Sequence, residues 1–380
     1  MSPGEPLPLA SPALGEAEEL AVVETLRSGR LSLGERLPEF ERGLASAVGA
    51  EHVSAVSSGT AALHLAVRTA GIEPGDEVVT TPFSFVASAN CILYEGARPV
   101  FCDIDPATHN IEPGAAAAAL TERTAGLLPV DIFGYPADLP AFERLAAERG
   151  LWLVEDACEA LGAADGDGEQ GGGRGNLATF ALYPNKQLTT GEGGALVCRS
   201  AEEKEGVDSE RNQGRAADMG WLDHDRLGFN YRLSELACAL GIAQLARLDE
   251  LLDARGRVAE LYRAALEDIE GLELPAPDAN GDRRSWFVYV VRVPAGVDRD
   301  AAIEGLRERG IDSKPYLPAI HLMAFYRERF GHREGEFPVC EDVAARSLAL
   351  PFFPGLRESD VARVAAALGE VVEAGRRTTA

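Results

Sequence analysis

The chain has 380 residues, 36 of them basic and 61 acidic, for a formal net charge of −25, and 46% are apolar. A surface this acidic repels phosphate backbones and anionic headgroups, which makes nucleic acid and membranes poor partners. The apolar fraction suffices for the core of one large domain or two, yet no run of about 18 uncharged apolar residues occurs, so no membrane-spanning helix is expected.

The first twenty residues have neither a basic start nor a long apolar stretch, so they do not read as a secretory signal. From residue 53 to residue 198 short apolar runs alternate with helical patterns. Strands are expected at 53–56, 77–80, 99–102, 125–130, 151–154, 178–182 and 195–198, with helices at 60–70, 85–94, 113–120 and 139–149. That order predicts a largely parallel sheet with helices on both faces. The glycine-rich run at 166–175 reads as a mobile loop. It lacks the G-x-G-x-x-G order of a dinucleotide site.

A long helical stretch is expected over 233–268, linking two domains. Beyond it the pattern predicts a strand at 286–293, a helix at 299–309 and a last helix at 359–368, a smaller α+β unit. The six cysteines form no C-x-x-C pair and read as buried apolar residues of a reducing, cytoplasmic compartment. The six histidines show no paired spacing, so no metal site is expected.

Only three of the 36 basic residues are lysines: Lys186, Lys204 and Lys314. Arginine cannot replace lysine where an amine must lose its proton, because guanidinium stays charged. Lys204 sits in a charged helical face and reads as a solvated surface residue. Lys314 follows a helix and reads either as an anion ligand or as solvent-facing. Lys186, between two apolar strands and before a glycine-rich turn, is the candidate for chemistry.

Three further segments join it. Ser57 to Thr60 lie between a strand and a helix, where Gly59 permits close approach and the N–H groups of Thr60, Ala61 and Ala62 would face a phosphate. Glu155 and Asp156 end a buried strand, and a carboxylate there needs a partner such as a protonated ring nitrogen. Phe83 and Phe85 follow another strand end, where either could stack on a flat ring or belong to the core. Phosphate turn, aromatic, acid and lysine together describe a pyridoxal phosphate site.

Over nearly its whole length the chain resembles the DegT/DnrJ/StrS sugar aminotransferases. The similarity runs through FERGLASAVGAEHVSAVSSGTAALHLA, PVFCDIDPATHNIEP, VEDACEALGA, YPNKQLTTGEGGALV, GFNYRLSELACALGIAQL and KPYLPAIHLMAFYRERFG. The resemblance implies an α/β, fold-type-I pyridoxal phosphate transferase. A large, mostly parallel seven-stranded domain with an N-terminal arm would span 1–250, and a smaller C-terminal α+β domain 251–380.

The resemblance further implies pyridoxal 5′-phosphate as cofactor, held covalently by Lys186, which also shuttles the proton. Asp156 would pair with the ring nitrogen, Phe85 stack on the ring, and Gly59, Thr60 and Ala61 form the phosphate turn. Glu159 would lie beside the cofactor, and Asn230 would reach the phosphate from a neighbouring subunit of a homodimer. His321, Lys314 and Tyr316 would contact the substrate. An amino group would pass from glutamate to a nucleotide-linked keto-deoxysugar, a 4-keto-6-deoxyhexose or a 3-keto relative.

Two positions depart from the family pattern. Ala181 stands where a serine usually offers the phosphate a hydroxyl, and Glu159 where glutamine or histidine is usual. Three other readings remain at this stage. One is a dehydratase of the same family, another a non-catalytic regulator keeping the fold, and the third an unrelated α/β binding protein in which Lys186 is structural.

Overall fold

The computed structural model describes residues 6–174, 176–216 and 223–379. The chain opens with two helices, α1 (Glu16–Ser28) and α2 (Arg36–Ala47), followed by β1 (His52–Val56) and α3 (Gly59–Thr69). Then come β2 (Glu77–Thr80), α4 (Ala87–Tyr94), β3 (Arg98–Phe101), α5 (Pro113–Ala118), β4 (Thr124–Leu128), α6 (Leu139–Arg149) and β5 (Trp152–Asp156). β6 (Leu177–Ala181) and β7 (Gly194–Cys198) complete a seven-stranded sheet of order β1-β7-β6-β5-β4-β2-β3. Only β7 runs against the rest. The strands are almost continuously apolar and buried, as sheets covered on both faces require. The fold is the expected α/β one with a mostly parallel sheet.

α7 (Ala201–Glu210) precedes α8 (Glu235–Leu245) and α9 (Leu248–Leu266). The single helix expected over 233–268 is therefore two, broken at Ala246 and Arg247. Apolar spacing continues across the break, so periodicity alone could not reveal it. Beyond lie β8 (Tyr289–Arg292), α10 (Arg299–Glu308), β9 (Lys314–Pro315), α11 (Ala324–Phe330), α12 (Pro338–Arg346), β10 (Ser347–Leu350) and α13 (Glu358–Thr379). β8, β10 and β9 form an antiparallel sheet in that order. Its core draws on α9, α10 and α13 through Val258, Tyr262, Leu306 and Leu368. Leu7 joins that core from the N-terminal end, its N–H donating to the Gly310 carbonyl at 2.8 Å.

The glycine-rich run expected to be mobile is a set of turns in its described part, up to Arg174. Arg174 pins them by ion pairs to Asp165, Asp167 and Glu143. Lys204, expected to be solvated, instead bridges Glu41 and Asp208 at 3.3 and 2.6 Å. Five cysteines are buried, and the sixth, Cys158, is half-buried; all are free thiols. Among the described residues no helix is long and apolar enough to cross a membrane. None of them forms a group of three or more metal-ligating side chains.

Candidate active site

The parallel strands all end on one sheet edge, and in open α/β sheets that edge holds the ligand. Here β1, β2, β4, β5 and β6 deliver their following segments to one cavity of about 470 Å³. Gly59 and Thr60 line it after β1, Phe85 and Ser88 after β2, Asp156 and Glu159 after β5, and Lys186 after β6.

Ser58 caps α3: its Oγ accepts the Ala61 N–H at 3.1 Å, and its carbonyl accepts the Ala62 N–H at 3.0 Å. Those two donors, expected to face a phosphate, are therefore occupied. The N–H groups of Gly59 and Thr60 have no acceptor among the described residues, as the first turn of a helix dictates. A side chain at position 59 would put its Cβ 2.6 Å from the Cβ of Ala181, so only glycine lets α3 come this close to the end of β6. Ser58 and Thr60 also supply hydroxyls at this end of the cavity, where Ala181 has none.

Asp156 is 2% exposed, and both of its carboxylate oxygens are held. Oδ2 accepts from Ser88 Oγ at 2.6 Å, and Oδ1 accepts the Cys158 N–H at 3.2 Å. Ser88 Oγ is in turn 2.8 Å from Ser84 Oγ. Burial, and then the charge of Asp156, push the Cys158 thiol well above its ordinary value, which keeps it protonated.

Lys186 lies on the loop joining β6 to β7. That loop is closed at its base by Leu182 N–H to Gly193 O at 2.9 Å and Thr190 N–H to Leu182 O at 3.0 Å. Its Nζ stands 3.7 Å from the centre of the Phe287 ring and 3.8 Å from Glu159 Oε1. Glu159 is buried, and burial raises its carboxyl above the ordinary value, while Lys186 and the Phe133 N–H pull it back down. The Phe133 N–H reaches Glu159 Oε2 at 2.9 Å from a left-handed backbone (φ 54°), an uncommon state for a bulky residue. The next residue must be glycine, because a Cβ on Gly134 would fall 1.7 Å from the Ser285 carbonyl oxygen.

Tyr316 also lines the cavity, its ring 5.7 Å from Phe133. Burial, then Glu159, push its phenol well above the ordinary value. Phe85 is 61% exposed at the rim, because α4 begins at Ala87 rather than at Phe85 as expected.

The structure does not bring the remaining predicted residues to this cavity. Ala61 turns its N–H to Ser58 and lies outside the lining. Lys314 is exposed on β9. Asn230 is exposed in an isolated pairing with Asn212. His321 is fully buried, its Nε2 3.0 Å from Glu341 Oε1 and its ring edge-on to Phe337. Conversely, Ser88 and Phe287 line the cavity without carrying a signal in the sequence. Phe287 falls in an apolar run that reads as core strand, and only its place just before β8 frees it for the cavity.

The cavity fits pyridoxal phosphate. Two unpaired backbone donors and a cradle that a Cβ would fill suit a phosphate. A held carboxylate suits a protonated ring nitrogen, and an amine suits an aldehyde. Asn185 Oδ1, at the same wall, is buried with no partner among the described residues.

Comparison with known proteins agrees with that fit. Residues 12–369 match the DegT/DnrJ/EryC1/StrS aminotransferase family. The spore coat polysaccharide biosynthesis protein SpsC of Bacillus subtilis (strain 168) is 37% identical over 380 residues, covering 97% of each chain. GDP-perosamine synthase of Caulobacter vibrioides is 35% identical over 367 residues, 96% of this chain and 98% of that one. The crystal structure of S. venezuelae DesV in complex with a ketimine intermediate superposes with a TM-score of 0.88 at 34% identity, covering 94% of each chain.

Proposed function

Because the chain belongs to the DegT/DnrJ/EryC1/StrS aminotransferases, pyridoxal-phosphate-dependent enzymes of amino-sugar synthesis, we propose that it moves an amino group from glutamate to a nucleotide-linked keto-deoxysugar. The acceptor is a 4-keto-6-deoxyhexose, with a 3-keto sugar as the alternative. The nucleotide in the name of GDP-perosamine synthase supports a nucleotide-linked acceptor. One observation carries the reading: the Lys186 amine, the Asp156 carboxylate and the free N–H groups of Gly59 and Thr60 border a single cavity.

Bound there, pyridoxal phosphate supplies an electron-accepting ring and a carbonyl carbon that carries the amino group. Gly59 and Thr60 hold the phosphate through backbone donors at the positive end of α3. Asp156, its oxygens fixed by Ser88 and Cys158, presents a negative charge that needs no reorganisation during reaction. Lys186 Nζ would anchor the cofactor at rest and, when free, would act as the base that takes up the donor's α-proton and as the acid that hands it on. Glu159 and the Phe287 ring seat the amine when it is protonated. Leu63, Val130, Phe287 and Leu317 exclude water from the walls.

The proposal includes a homodimer in which Asn230, exposed and away from its own cavity, serves the cavity of a second copy. The apolar side chains of Leu20, Val23, Leu26, Leu31 and Leu33, between 37% and 56% exposed on and just after α1, support a partner surface. A monomer in sedimentation at micromolar concentration would remove this part.

The reading is tested on the purified protein loaded with pyridoxal phosphate. Borohydride reduction and peptide mapping should fix the cofactor to Lys186 alone. Glutamate should bleach the visible band, and one keto-sugar of a 4-keto and 3-keto panel should restore it. Lys186→Arg should keep the fold and lose turnover by about 10⁴-fold or more. Cofactor found on another residue, or turnover surviving in Lys186→Arg, sinks the reading.

A further inference from the structure

Arg255, on α9, is 2% exposed, and among the described residues no carboxylate lies within 4 Å of it. Its partners are main-chain carbonyls from two segments about a hundred residues apart. Nη2 donates to Lys186 O at 2.6 Å and to Asn185 O at 3.1 Å, and Nη1 donates to Phe287 O at 3.1 Å. Nε has no partner. Burial alone brings the guanidinium down to about 10, with no negative group to offset it.

A buried cation without a counter-charge is costly, and apolar residues of similar volume often serve stability as well or better. What the guanidinium does that an apolar side chain cannot is join three fixed acceptors through one rigid plane. Two of those acceptors belong to Asn185 and Lys186, on a loop with no regular structure of its own. The third belongs to Phe287, whose ring meets the amine. Gln187 makes a second tie of the same kind, its Nε2 donating to Glu159 O at 2.6 Å and Ser285 O at 3.1 Å. The loop is thus stapled on either side of Lys186 to the segment 285–287.

We propose that Arg255 is a positioning residue for the reaction: its guanidinium clamps the Lys186 main chain to that of Phe287 and so holds Nζ in its seat between the Phe287 ring and Glu159. The inference rests on Lys186 being the reacting amine. Small displacements of a reacting group cost large factors in rate, so the clamp acts on turnover more than on binding.

The test uses Arg255→Met, which keeps bulk without donors, and Arg255→Lys, which keeps charge without the fork. With only three lysines in the chain, trace acetylation of the cofactor-free protein followed by peptide mapping reads Lys186 against Lys204 and Lys314 as internal standards. Unseating the amine raises its labelling relative to Lys314 by about fivefold or more in Arg255→Met, and by less in Arg255→Lys. In the loaded protein kcat with glutamate falls about tenfold or more, with KM within about twofold.

A residue that only supports the fold would lower the melting temperature and leave the labelling ratio and kcat unchanged; that result overturns the proposal. So does a failure of both variants to fold. If borohydride fixes the cofactor elsewhere while the ratio still rises, the functional reading fails and the clamp stands.

Discussion

Two groups of buried and half-buried charge flank the large sheet, and they are built differently. Below β1, Glu41, Arg211, Asp208 and Lys204 form a neutral set. Arg211 reaches Asp208 Oδ1 at 2.7 Å and also meets Glu41 Oε1, Lys204 contacts the other oxygen of each acid, and the Ala55 N–H and Ser54 Oγ donate to Glu41 Oε1 and Asp208 Oδ1 at 2.9 and 2.7 Å. None of the four lines the cavity. At the carboxyl edge, by contrast, Asp131, Glu155, Asp156 and Glu159 lie close together, and among the described residues the one ion pair they make is that of Glu159 with Lys186, at 3.8 Å. One group is closed on itself. The other keeps unspent charge, which is what a site that must receive a ligand and move protons requires.

Breaking the closed group should give the largest effect on stability. Arg211→Met leaves Lys204 to face Glu41 and Asp208 alone, and removing one partner of a buried pair costs up to about 3–5 kcal/mol. Chemical denaturation should show that loss, while kcat of the folded fraction stays within about twofold because no cavity residue moves. Arg255→Met should do the reverse, with little loss of stability and a large loss of rate. Equal effects of the two substitutions on both quantities would erase the distinction.

The open group should also reveal itself through pH. Asp131 and Glu155 are fully buried, and burial raises both: Asp131 well above its ordinary value, with Glu155 adding to it, and Glu155 to about 7 from 4.5. The proton belongs to the pair. Between about 4.5 and about 7 the native chain retains a proton that the unfolded chain has released. Stability from this source therefore falls as pH rises through that window. In Glu155→Gln burial still holds the Asp131 proton, but the contribution of Glu155 is gone, so the fall should be smaller. Urea midpoints of both proteins at pH 5 and pH 8 check this, and parallel profiles would count against it.

The contrast between the two groups also explains what could be read from sequence. Lys186, Asp156 and Gly59 stood out because each is a residue type its place requires: an amine among arginines, an acid ending an apolar strand, a glycine at a helix start. The sheet was legible because buried parallel strands are written as apolar runs. Arg255 was invisible as one of 33 arginines in a helical stretch, where charge ordinarily faces water. Phe287 looked like core because an apolar residue beside a strand carries no sign of whether the strand has begun. Lys204 was misjudged for the same reason: acid–base spacing on a helix looks alike whether the partners are solvent or the closed group. The break between α8 and α9, and the capture of the Ala61 N–H by Ser58, are set by tertiary contacts and capping geometry that periodicity does not encode.

The smallest expected effect concerns the pair of hydroxyls behind Asp156. Ser88 has one proton and two acceptors in reach, Asp156 Oδ2 at 2.6 Å and Phe85 O at 3.2 Å. The shorter, charge-assisted bond takes it, which leaves Ser84 Oγ, at 2.8 Å, to donate to Ser88. This relay orients the carboxylate without adding charge to the open group. Ser88→Ala removes one hydrogen bond to a charged group, worth about 1.5–3 kcal/mol. Asp156 keeps its bond from the Cys158 N–H and its burial, so part of the loss is recovered by rotation of the carboxylate. The expected result is a dissociation constant for pyridoxal phosphate raised about tenfold, with the fold intact and Lys186 still trapped by borohydride. Ser84→Ala, one bond further back, should raise it less. If Ser84→Ala weakened binding as much as Ser88→Ala, the two hydroxyls would be acting on the cofactor independently rather than in series through Asp156.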